Sequence, residues 1–429
     1  MKKRLLFILM IILLLLVGCS KNLNVNSEEW IADLQYTKDE LPKVVLGFYD
    51  FITEEEWEAD INDLINDIKT KQLSNEYIGW RINEIITKVK ISHMGFIPGD
   101  KIDFFSFPFI PFITSEKDYY VEATSKEYKE LLGAKMISIN EIPMKEITEK
   151  VATITPHETI LFVEAIYKVN AFSKNKLDYL GITNESKNIF TFEMEDGTIK
   201  KIEIEAENPS EQMEWASIQD IYENKPIRYN KPKGMWHDFW YDLDIENKAF
   251  YFQYNNCVDR QETGDEALPY FKEFSKEMFE YMKTNNDEFN KIIVDVRNNF
   301  GGSGGLFYNY FIMDNLDYLK TKDIVVLIDK QTYSAGVDAV NDLYEKLNAK
   351  IIGTETGGII AGYTEVSKSL KLKNTNSSIR YTTKTPEYYA LLGRQTDSFR
   401  GVKPDVEVEN SVEDFRNGID KVYNEAVEN

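Results

Sequence analysis

Three short apolar strands that alternate with helical stretches constrain the fold of this chain more than any other feature. The segments 292–296, 324–328 and 350–353 are rich in Ile and Val and predict buried strands. Between them, the stretches 305–315 and 335–347 carry apolar residues at helical spacing. Because strands that alternate with helices form a parallel sheet covered by helices, the carboxyl-terminal half is predicted to be an α/β domain.

The amino-terminal half predicts two helices followed by a smaller mixed module. Thr53 and Glu56 fit a capping box at the start of one amphipathic helix, and a second helix carries Ile78 to Val89. Residues 117–205 combine short strands with a helical turn, and an Asp-Gly pair at 196–197 marks a hairpin. A helical unit therefore precedes a small α/β module.

A chain of 429 residues is too long for one ordinary core, so several domains are expected. The predicted segments are a signal peptide at 1–18, a tether at 19–48, a helical unit at 49–105, the small module at 106–205, a linker at 206–235, the parallel-sheet domain at 236–410 and a C-terminal helix at 411–429.

The composition excludes several classes of function. The formal net charge of −22 repels phosphate backbones, so nucleic acid is not expected as a partner, nor is electrostatic docking on anionic lipid. Two cysteines and three histidines are too few for a cysteine-rich zinc site or a disulfide framework. We predict no metal and no organic cofactor.

The first 19 residues resemble a bacterial lipoprotein signal. A short basic segment precedes the apolar run 5–17, which is too short to span a bilayer comfortably. The run ends at Val17-Gly18-Cys19, which is similar to a lipobox. We therefore expect cleavage before Cys19, a lipid on that residue, and an extracytoplasmic protein tethered to a bacterial cell membrane. The alternative is an uncleaved anchor helix.

Two loops at the carboxyl ends of the predicted strands carry the candidate chemistry, because ligands bind at that edge of a parallel sheet. The first loop contains Gly301 and Gly302, whose bare backbone could hold an anion; a plain glycine-rich turn is an equal alternative. The second contains Ser334, followed by Ala335 at the start of a helix. Taken alone, Ser334 is most simply a helix N-cap.

Four blocks together resemble the tail-specific (C-terminal-processing) serine protease family and its tricorn-core relatives. The blocks are Ile293–Gly302, Thr332–Ala335, Gly353–Gly358 and Gly401–Asp405. The resemblance implies a crotonase-like (ClpP/crotonase-type) α/β core over residues 236–410, preceded by a small PDZ-like α/β module.

The same resemblance implies the parts of an active site. Ser334 matches the nucleophile of the family, and the N–H groups of Ala335 and of Gly301 or Gly302 match its oxyanion hole.

The base departs from the pattern of most bacterial members, which place a lysine in a Gly-Lys-Gly turn. The matching stretch here is Gly357-Gly358-Ile359, without lysine. The tricorn-like branch carries a Ser-His pair where this chain has Ser92 and His93. We therefore predict His93 as the general base, since an unactivated serine is a poor nucleophile.

An assisting carboxylate is expected shortly before the last block. Asp397 is the nearest candidate and Glu387 the alternative, and a surface position is as plausible for either. His157 and His237 are predicted to be structural.

Asp295 and Arg297 are expected to hold the strand end, and Cys257 to be a core or near-core thiol.

The sequence thus predicts a serine-type peptidase that hydrolyses peptide or protein substrates by acyl transfer, with Ser92 assisting in the site. The alternative is a catalytically inactive peptide- or ligand-binding lipoprotein on the same fold, because a fold does not fix a function.

Overall fold

The computed structural model describes residues 27–99, 105–170, 172–184, 188–208, 214–360, 363–384, 390–393 and 399–428. The chain divides into two compact units. The first unit comprises Met1–Ser217 and Tyr363–Pro386, and the second comprises Ile218–Gly362 and Glu387–Asn429.

The α-helices of the described residues are α1 (Ser27–Val44), α2 (Glu54–Thr70), α3 (Asn75–Thr87), α4 (Met144–Ala152), α5 (Ile160–Asn170), α6 (Lys174–Tyr179), α7 (Arg260–Thr263), α8 (Phe271–Thr284), α9 (Gly304–Leu306), α10 (Leu316–Leu319), α11 (Ala335–Leu347), α12 (Val412–Asn417) and α13 (Lys421–Glu428). A π-helical segment, Phe307–Ile312, follows α9. Within the described residues, none of these helices is long and apolar enough to cross a membrane.

The strands are β1 (Gly95–Ile97), β2 (Phe109–Ile113), β3 (Tyr119–Ser125), β4 (Lys135–Ile139), β5 (Ile142–Pro143), β6 (Ile189–Glu193), β7 (Ile199–Glu203), β8 (Trp215–Ser217), β9 (Phe239–Asp244), β10 (Ala249–Tyr254), β11 (Lys291–Asp295), β12 (Asp323–Ile328), β13 (Lys350–Gly353), β14 (Tyr363–Leu372), β15 (Ser377–Lys384) and β16 (Val406–Glu407).

The second unit is built on a six-stranded sheet in the order β16-β13-β12-β11-β10-β9. Neighbouring strands among β10, β11, β12, β13 and β16 run parallel, and β9 is antiparallel at the edge. Alternate side chains of β11 enter different cores: Ile292 and Val294 pack in the larger apolar cluster, and Ile293 packs on the opposite face against α13. Burial on both faces explains why the strands read as continuous apolar runs.

The strands and the long helix of this sheet follow the sequence prediction closely. The predicted strands 324–328 and 350–353 correspond to β12 and β13, and the predicted helix 335–347 is α11. The stretch 305–315 is helical but irregular, because it passes from α9 through the π-helical segment into a 3-10 turn. The α/β prediction is therefore confirmed at the level of a mixed α/β fold.

The first unit contains a helical part and a mixed module. Helices α1, α2 and α3 bury an apolar cluster against β14 and β15, and β15 lies between β1 and β14 in a three-stranded sheet. The capping box of Thr53 and Glu56 is present at the start of α2. The module forms an antiparallel sheet in the order β2-β3-β4-β6-β7, with α4 and α5 packed on it. The hairpin predicted at 196–197 joins β6 to β7.

The structure corrects two of the predicted boundaries in the first unit. Helix α1 lies inside the segment predicted to be a tether, and its Trp30, Leu34 and Leu41 are buried. These apolar residues are sparse in a polar sequence, so their helical spacing was missed. The predicted linker also supplies a strand, since β8 pairs with β3.

The parallel-sheet domain predicted at 236–410 is not continuous. The β14–β15 hairpin belongs to the first unit, because Leu370, Leu372 and Ile379 pack in the apolar cluster of α1 to α3. The predicted C-terminal helix is two helices, α12 and α13, and α12 ends at Gly418 in a left-handed conformation. Residue spacing alone does not show which core a hairpin joins.

Candidate active site

Ser334 occupies a sharp turn between β12 and α11. Its backbone has φ 52° and ψ −128°, a conformation that costs a non-glycine residue about 1–3 kcal/mol. The Ser334 side chain makes no capping hydrogen bond, although the residue stands at the N-cap position. The simple N-cap interpretation therefore does not account for this serine. Strained strand-to-helix turns of this kind are used to present nucleophiles.

Hydrogen bonds from neighbouring residues fix this turn. The Thr332 hydroxyl donates to the Val296 carbonyl (3.0 Å) and accepts from the Asp329 N–H (3.2 Å). The Ser334 carbonyl accepts from the Val337 N–H (2.8 Å), so the backbone of Ser334, and not its hydroxyl, starts the helix. The serine thus stands at the carboxyl edge of the sheet, where parallel sheets place their ligands.

The glycine loop after β11 lies directly against Ser334. A Cβ placed on Gly301, which has φ +94°, would lie 2.6 Å from the Ser334 Cβ and 2.8 Å from the Ala335 nitrogen. A Cβ on Gly302, which has φ +134°, would lie 2.3 Å from the Cys257 carbonyl oxygen. Only glycine fits either position, because real Cβ atoms do not approach other atoms so closely and because both backbones are left-handed.

Two backbone N–H groups flank the serine without an acceptor in the part of the chain that the structure describes: those of Gly302 and Ala335. The Gly301 N–H, in contrast, donates to Asn299 Oδ1 at 2.8 Å. Cys257 and Gly302 form a parallel bridge in which the Cys257 N–H donates to the Gly301 carbonyl and the Cys257 carbonyl accepts from the Ser303 N–H. The N–H of Gly302 itself therefore points away from Cys257. Gly302 and Ala335 can donate to a developing negative charge, while the Gly301 donor is already engaged.

The turn that replaces the family lysine packs tightly behind the serine. A Cβ on Gly358 would lie 2.8 Å from the Tyr333 Cα and 2.8 Å from the Val337 Cγ2. The Gly358 N–H donates to the Thr332 carbonyl at 3.0 Å. A lysine side chain has no room at position 358, which agrees with the sequence departing from the lysine pattern here.

Asn299 is a buried residue that sequence reasoning missed. Its side chain accepts from the Gly301 N–H and donates to the Tyr254 carbonyl at 2.8 Å, and its own carbonyl accepts from the Tyr333 N–H at 2.9 Å. Its position two residues before the paired glycines was the available signal. Cys257, whose thiol lies 3.4 Å from Asn299 Oδ1, is free and buried, as predicted. Burial is the largest cause that raises the pKa of Cys257, to about 12, so the thiol is not nucleophilic.

Arg297 joins the end of β11 to Asp420, the residue that precedes the C-terminal helix α13. Its guanidinium donates to both carboxylate oxygens of Asp420 at 2.8 Å and also pairs with Asp295 at 2.6 Å. All three side chains are buried. Tyr251 donates to the same Asp295 carboxylate at 2.6 Å. This network is consistent with the structural role predicted for Asp295 and Arg297, and Asp420 is a partner that spacing could not reveal.

An acidic face of α11 follows Ser334. A Cβ on Gly304 would lie 2.8 Å from Asp338 Oδ2, so this carboxylate borders the glycine loop. Asp342 lies one helical turn further on. Burial first, and then the negative charges of Asp338 and Glu345, raise the pKa of Asp342 to about 7. The sequence analysis singled out neither Asp338 nor Asp342.

His93 and Ser92 lie in a turn of the first unit, between α3 and β1. The Ser92 N–H donates to Glu158 Oε1 at 2.9 Å, and the His93 carbonyl accepts from Arg380 Nε at 3.2 Å. The His93 side chain is partly buried. Burial first, and then the positive charge of Arg380, lower the pKa of His93 to about 3. At neutral pH the ring is therefore uncharged, which is the form that accepts a proton.

The remaining candidates are placed as follows. Asp397, Glu387 and Cys19 lie outside the described residues. His157 is buried, and its Nδ1 bonds to the Thr155 carbonyl at 2.6 Å. His237 is exposed.

Comparison with known proteins gives a partial match to one family model and a shared fold. Residues 308–408 match the family model described as Peptidase family S41. The structure of mature CPAF complexed with lactacystin is 14% identical with a TM-score of 0.65, over 94% of this chain and 97% of that chain. A second structure, of mature CPAF, is 14% identical with a TM-score of 0.64, over 94% of this chain and 96% of that one. At these identities the similarity establishes a shared fold. No curated protein sequence matches this chain.

Proposed function

We propose that this chain is a serine peptidase of the S41 type, whose family model matches residues 308–408, and that it hydrolyses peptide bonds by acyl transfer with Ser334 as the nucleophile. The observation that carries the proposal is the left-handed backbone of Ser334 beside two N–H groups, of Gly302 and Ala335, for which the described residues supply no acceptor. Strain of this kind persists where the surrounding structure enforces it and the site uses it.

His93 is the proposed general base, with Ser92 beside it. The ring takes the proton from Ser334 Oγ while that oxygen bonds to the substrate carbonyl carbon and the carbonyl electrons move to its oxygen. The N–H groups of Gly302 and Ala335 hold the resulting oxyanion. Collapse of this intermediate breaks the C–N bond, and His93 gives its proton to the leaving amine.

Deacylation repeats these steps with water. His93 takes a proton from the attacking water molecule, and the ester to Ser334 breaks as Ser334 Oγ regains that proton. Asp397, or alternatively Glu387, is the proposed assisting carboxylate, which would orient a donor in the site. The substrates are peptides or proteins.

The finer assignment of the fold belongs to the same proposal. The parallel sheet with helices on both faces supports a crotonase-like core in the second unit. The antiparallel sheet with α4 and α5 packed on it supports a PDZ-like module within residues 106–205.

Cys19 is proposed to carry a lipid that anchors the protein to the outer face of the cytoplasmic membrane. Cells grown with radiolabelled palmitate should label the wild-type protein and not Cys19→Ala. Protease added to intact cells with the outer face accessible should degrade the anchored protein. Label that persists in Cys19→Ala would overturn the anchor.

A fluorophosphonate probe tests the nucleophile and the base. The wild-type protein should be labelled, and Ser334→Ala should not be. His93→Ala should be labelled about 10²–10⁴ times more slowly, because general-base catalysis contributes a factor of that size. His237→Ala is the matched control, since it removes an exposed histidine of the second unit and should leave the rate unchanged.

The outcomes separate the two functions that the sequence left open. Labelling that survives Ser334→Ala contradicts the nucleophile assignment. A folded wild-type protein that is not labelled at all favours the alternative of a binding lipoprotein.

A further inference from the structure

We propose that Asn299 is a positioning residue of the oxyanion hole: its buried carboxamide locks the glycine loop against the Ser334 turn so that the Gly302 N–H, and not the Gly301 N–H, serves as donor. This inference rests on the proposed function, because an oxyanion hole matters only if Ser334 attacks a carbonyl. It assigns a role to a residue that does not touch the substrate itself.

The side-chain contacts of Asn299 join two strand ends. Asn299 Oδ1 accepts from the Gly301 N–H at 2.8 Å, and Nδ2 donates to the Tyr254 carbonyl, the last residue of β10, at 2.8 Å. The residue is fully buried, with 0% of its surface exposed. A buried amide with satisfied groups fixes its neighbours firmly, since breaking either bond leaves an unpaired polar group.

The main chain of Asn299 supports the serine turn from the other side. The Asn299 carbonyl accepts from the Tyr333 N–H at 2.9 Å. A Cβ on Gly336 would lie 2.7 Å from that same oxygen, so the start of α11 rests directly on Asn299. One residue therefore sets both the glycine loop and the segment that carries Ser334 and Ala335.

These contacts decide which backbone N–H group can donate a hydrogen bond to the oxyanion. With its N–H committed to Asn299, Gly301 is held at φ +94°, and the N–H of Gly302 then has no acceptor in the described chain. If the carboxamide bond were lost, the Gly301 N–H would be released and the loop could rotate. The Gly302 and Ala335 donors would then no longer point together, and donors that must reorganise stabilise a transition state less well.

Asn299→Asp is the sharpest test, because it keeps the shape of the side chain. A carboxylate still accepts from the Gly301 N–H, but it cannot donate to the Tyr254 carbonyl, and it places a negative charge behind the oxyanion site. Fluorophosphonate labelling at pH 8 should lose about 10²–10³ in the inactivation rate constant, the size found on removal of one oxyanion donor. The half-saturating probe concentration should change less than about threefold, because the substitution does not alter the contacts that bind the probe before it reacts.

A pH series separates positioning from general damage. The carboxyl group that Asn299→Asp introduces could, once protonated, again donate to the Tyr254 carbonyl. The deficit of this variant relative to wild type should therefore shrink as the pH falls from about 8 to 6. Simple loss of folded protein would give no such recovery. Thermal unfolding is measured in parallel, and if Asn299→Asp does not fold, the smaller, uncharged Asn299→Ser carries the rate comparison.

Asn140 offers the matched control. This residue of the first unit also donates to a backbone carbonyl, that of Ile182 (2.9 Å), and accepts from a backbone N–H, that of Ile189 (2.8 Å). Asn140→Asp should be labelled at the wild-type rate. Folded Asn299 variants labelled within about threefold of wild type at every pH would overturn the positioning role. A wild-type protein that is not labelled would overturn the proposed function instead.

Discussion

Ser334 and His93 both lie in short turns beside a strand, but the two turns are held differently. The Ser334 turn is fixed by its own strained backbone, by Thr332, and by Asn299 behind it. At the His93 turn, main-chain groups bond to charged side chains: the Ser92 N–H to Glu158 and the His93 carbonyl to Arg380. The nucleophile turn is therefore held by its backbone conformation and by hydrogen bonds among neutral groups, whereas the turn of the proposed base is held by hydrogen bonds to charged side chains.

Burial shifts the pKa of one group in each unit, and the two shifts have opposite directions. In the first unit it lowers the pKa of His93 to about 3, and in the second it raises the pKa of Asp342 to about 7. Each shift favours the neutral form, because a charge is poorly solvated away from water. The contrast predicts that acid and base weaken different parts of this protein.

Replacing Ser334 should give the largest effect. Loss of the hydroxyl should reduce activity by about 10⁶, since removing a catalytic serine abolishes the covalent path. Ser334→Gly should be equally inactive but about 1 kcal/mol more stable than Ser334→Ala, because glycine adopts φ 52° without strain. Thermal or urea unfolding of the two variants measures the difference. Equal stabilities would show that the turn stores no strain, and the contrast between the two turns would then fail.

Gly301→Ala should have the next largest effect. The new Cβ would lie 2.6 Å from the Ser334 Cβ, so the loop must move and the rate of fluorophosphonate labelling should fall about 10²–10³. Gly197→Ala is the control, because Gly197 has φ +81° but nothing within 4 Å of the added Cβ. It should lose some stability and keep the wild-type labelling rate. Similar rates for the two variants would mean that close packing at Ser334 is not what Gly301 provides.

The pH dependence should reveal the charge that surrounds His93. A base with a pKa of about 3 stays unprotonated well below pH 6.5, so the acid limb of kcat/KM should lie far below that pH. Arg380→Gln removes the positive charge that helps to lower the pKa of His93, and the limb should move to higher pH. Arg380→Lys keeps the charge and should leave the limb near its wild-type position. An acid limb at pH 6.5 in the wild-type protein would contradict His93 as a buried base.

Stability should change least, and with opposite signs in the two units. The folded-state pKa of Asp342 lies above its unfolded value, so its contribution is complete at low pH and is lost as the pH rises towards 7. The rise in the pKa of Asp342 to about 7 corresponds to at most about 4 kcal/mol, and solvent reduces this value because Asp342 is only partly buried. Asp342→Asn should therefore be more stable than wild type by about 1–2 kcal/mol at pH 8 and nearly unchanged at pH 4. Unfolding midpoints of the two proteins at both pH values check this prediction.

His157, in the first unit, should change stability with pH in the opposite direction to Asp342. Burial lowers its pKa below the unfolded value, so the unfolded chain binds more protons and stability falls as the pH drops below about 6.5. His157→Gln should flatten this fall while leaving stability at pH 8 nearly unchanged. A wild-type protein whose first unit is equally stable at pH 5 and pH 8 would contradict the expected difference between the units.

The parts of the fold that could be predicted are those with strong local signals. The strands β12 and β13 and the helix α11 follow from apolar runs and helical spacing, and the capping box at Thr53 follows from two residues. Helix α1 was missed because few of its residues are apolar. The sequence did not predict that the β14–β15 hairpin packs on helices α1 to α3, because local residue spacing does not report contacts between distant segments.

The amino-acid sequence by itself determined the α/β character, the family blocks and the candidates Ser334, Gly301, Gly302 and Ala335, since each depends on residue types at short separations. Only the tertiary structure decided that the Gly301 N–H is engaged by Asn299, that the Ser334 hydroxyl does not cap the helix, and that Arg297 reaches Asp420. Hydrogen-bond partners and burial depend on which segments meet in space, and that information is spread over the whole chain.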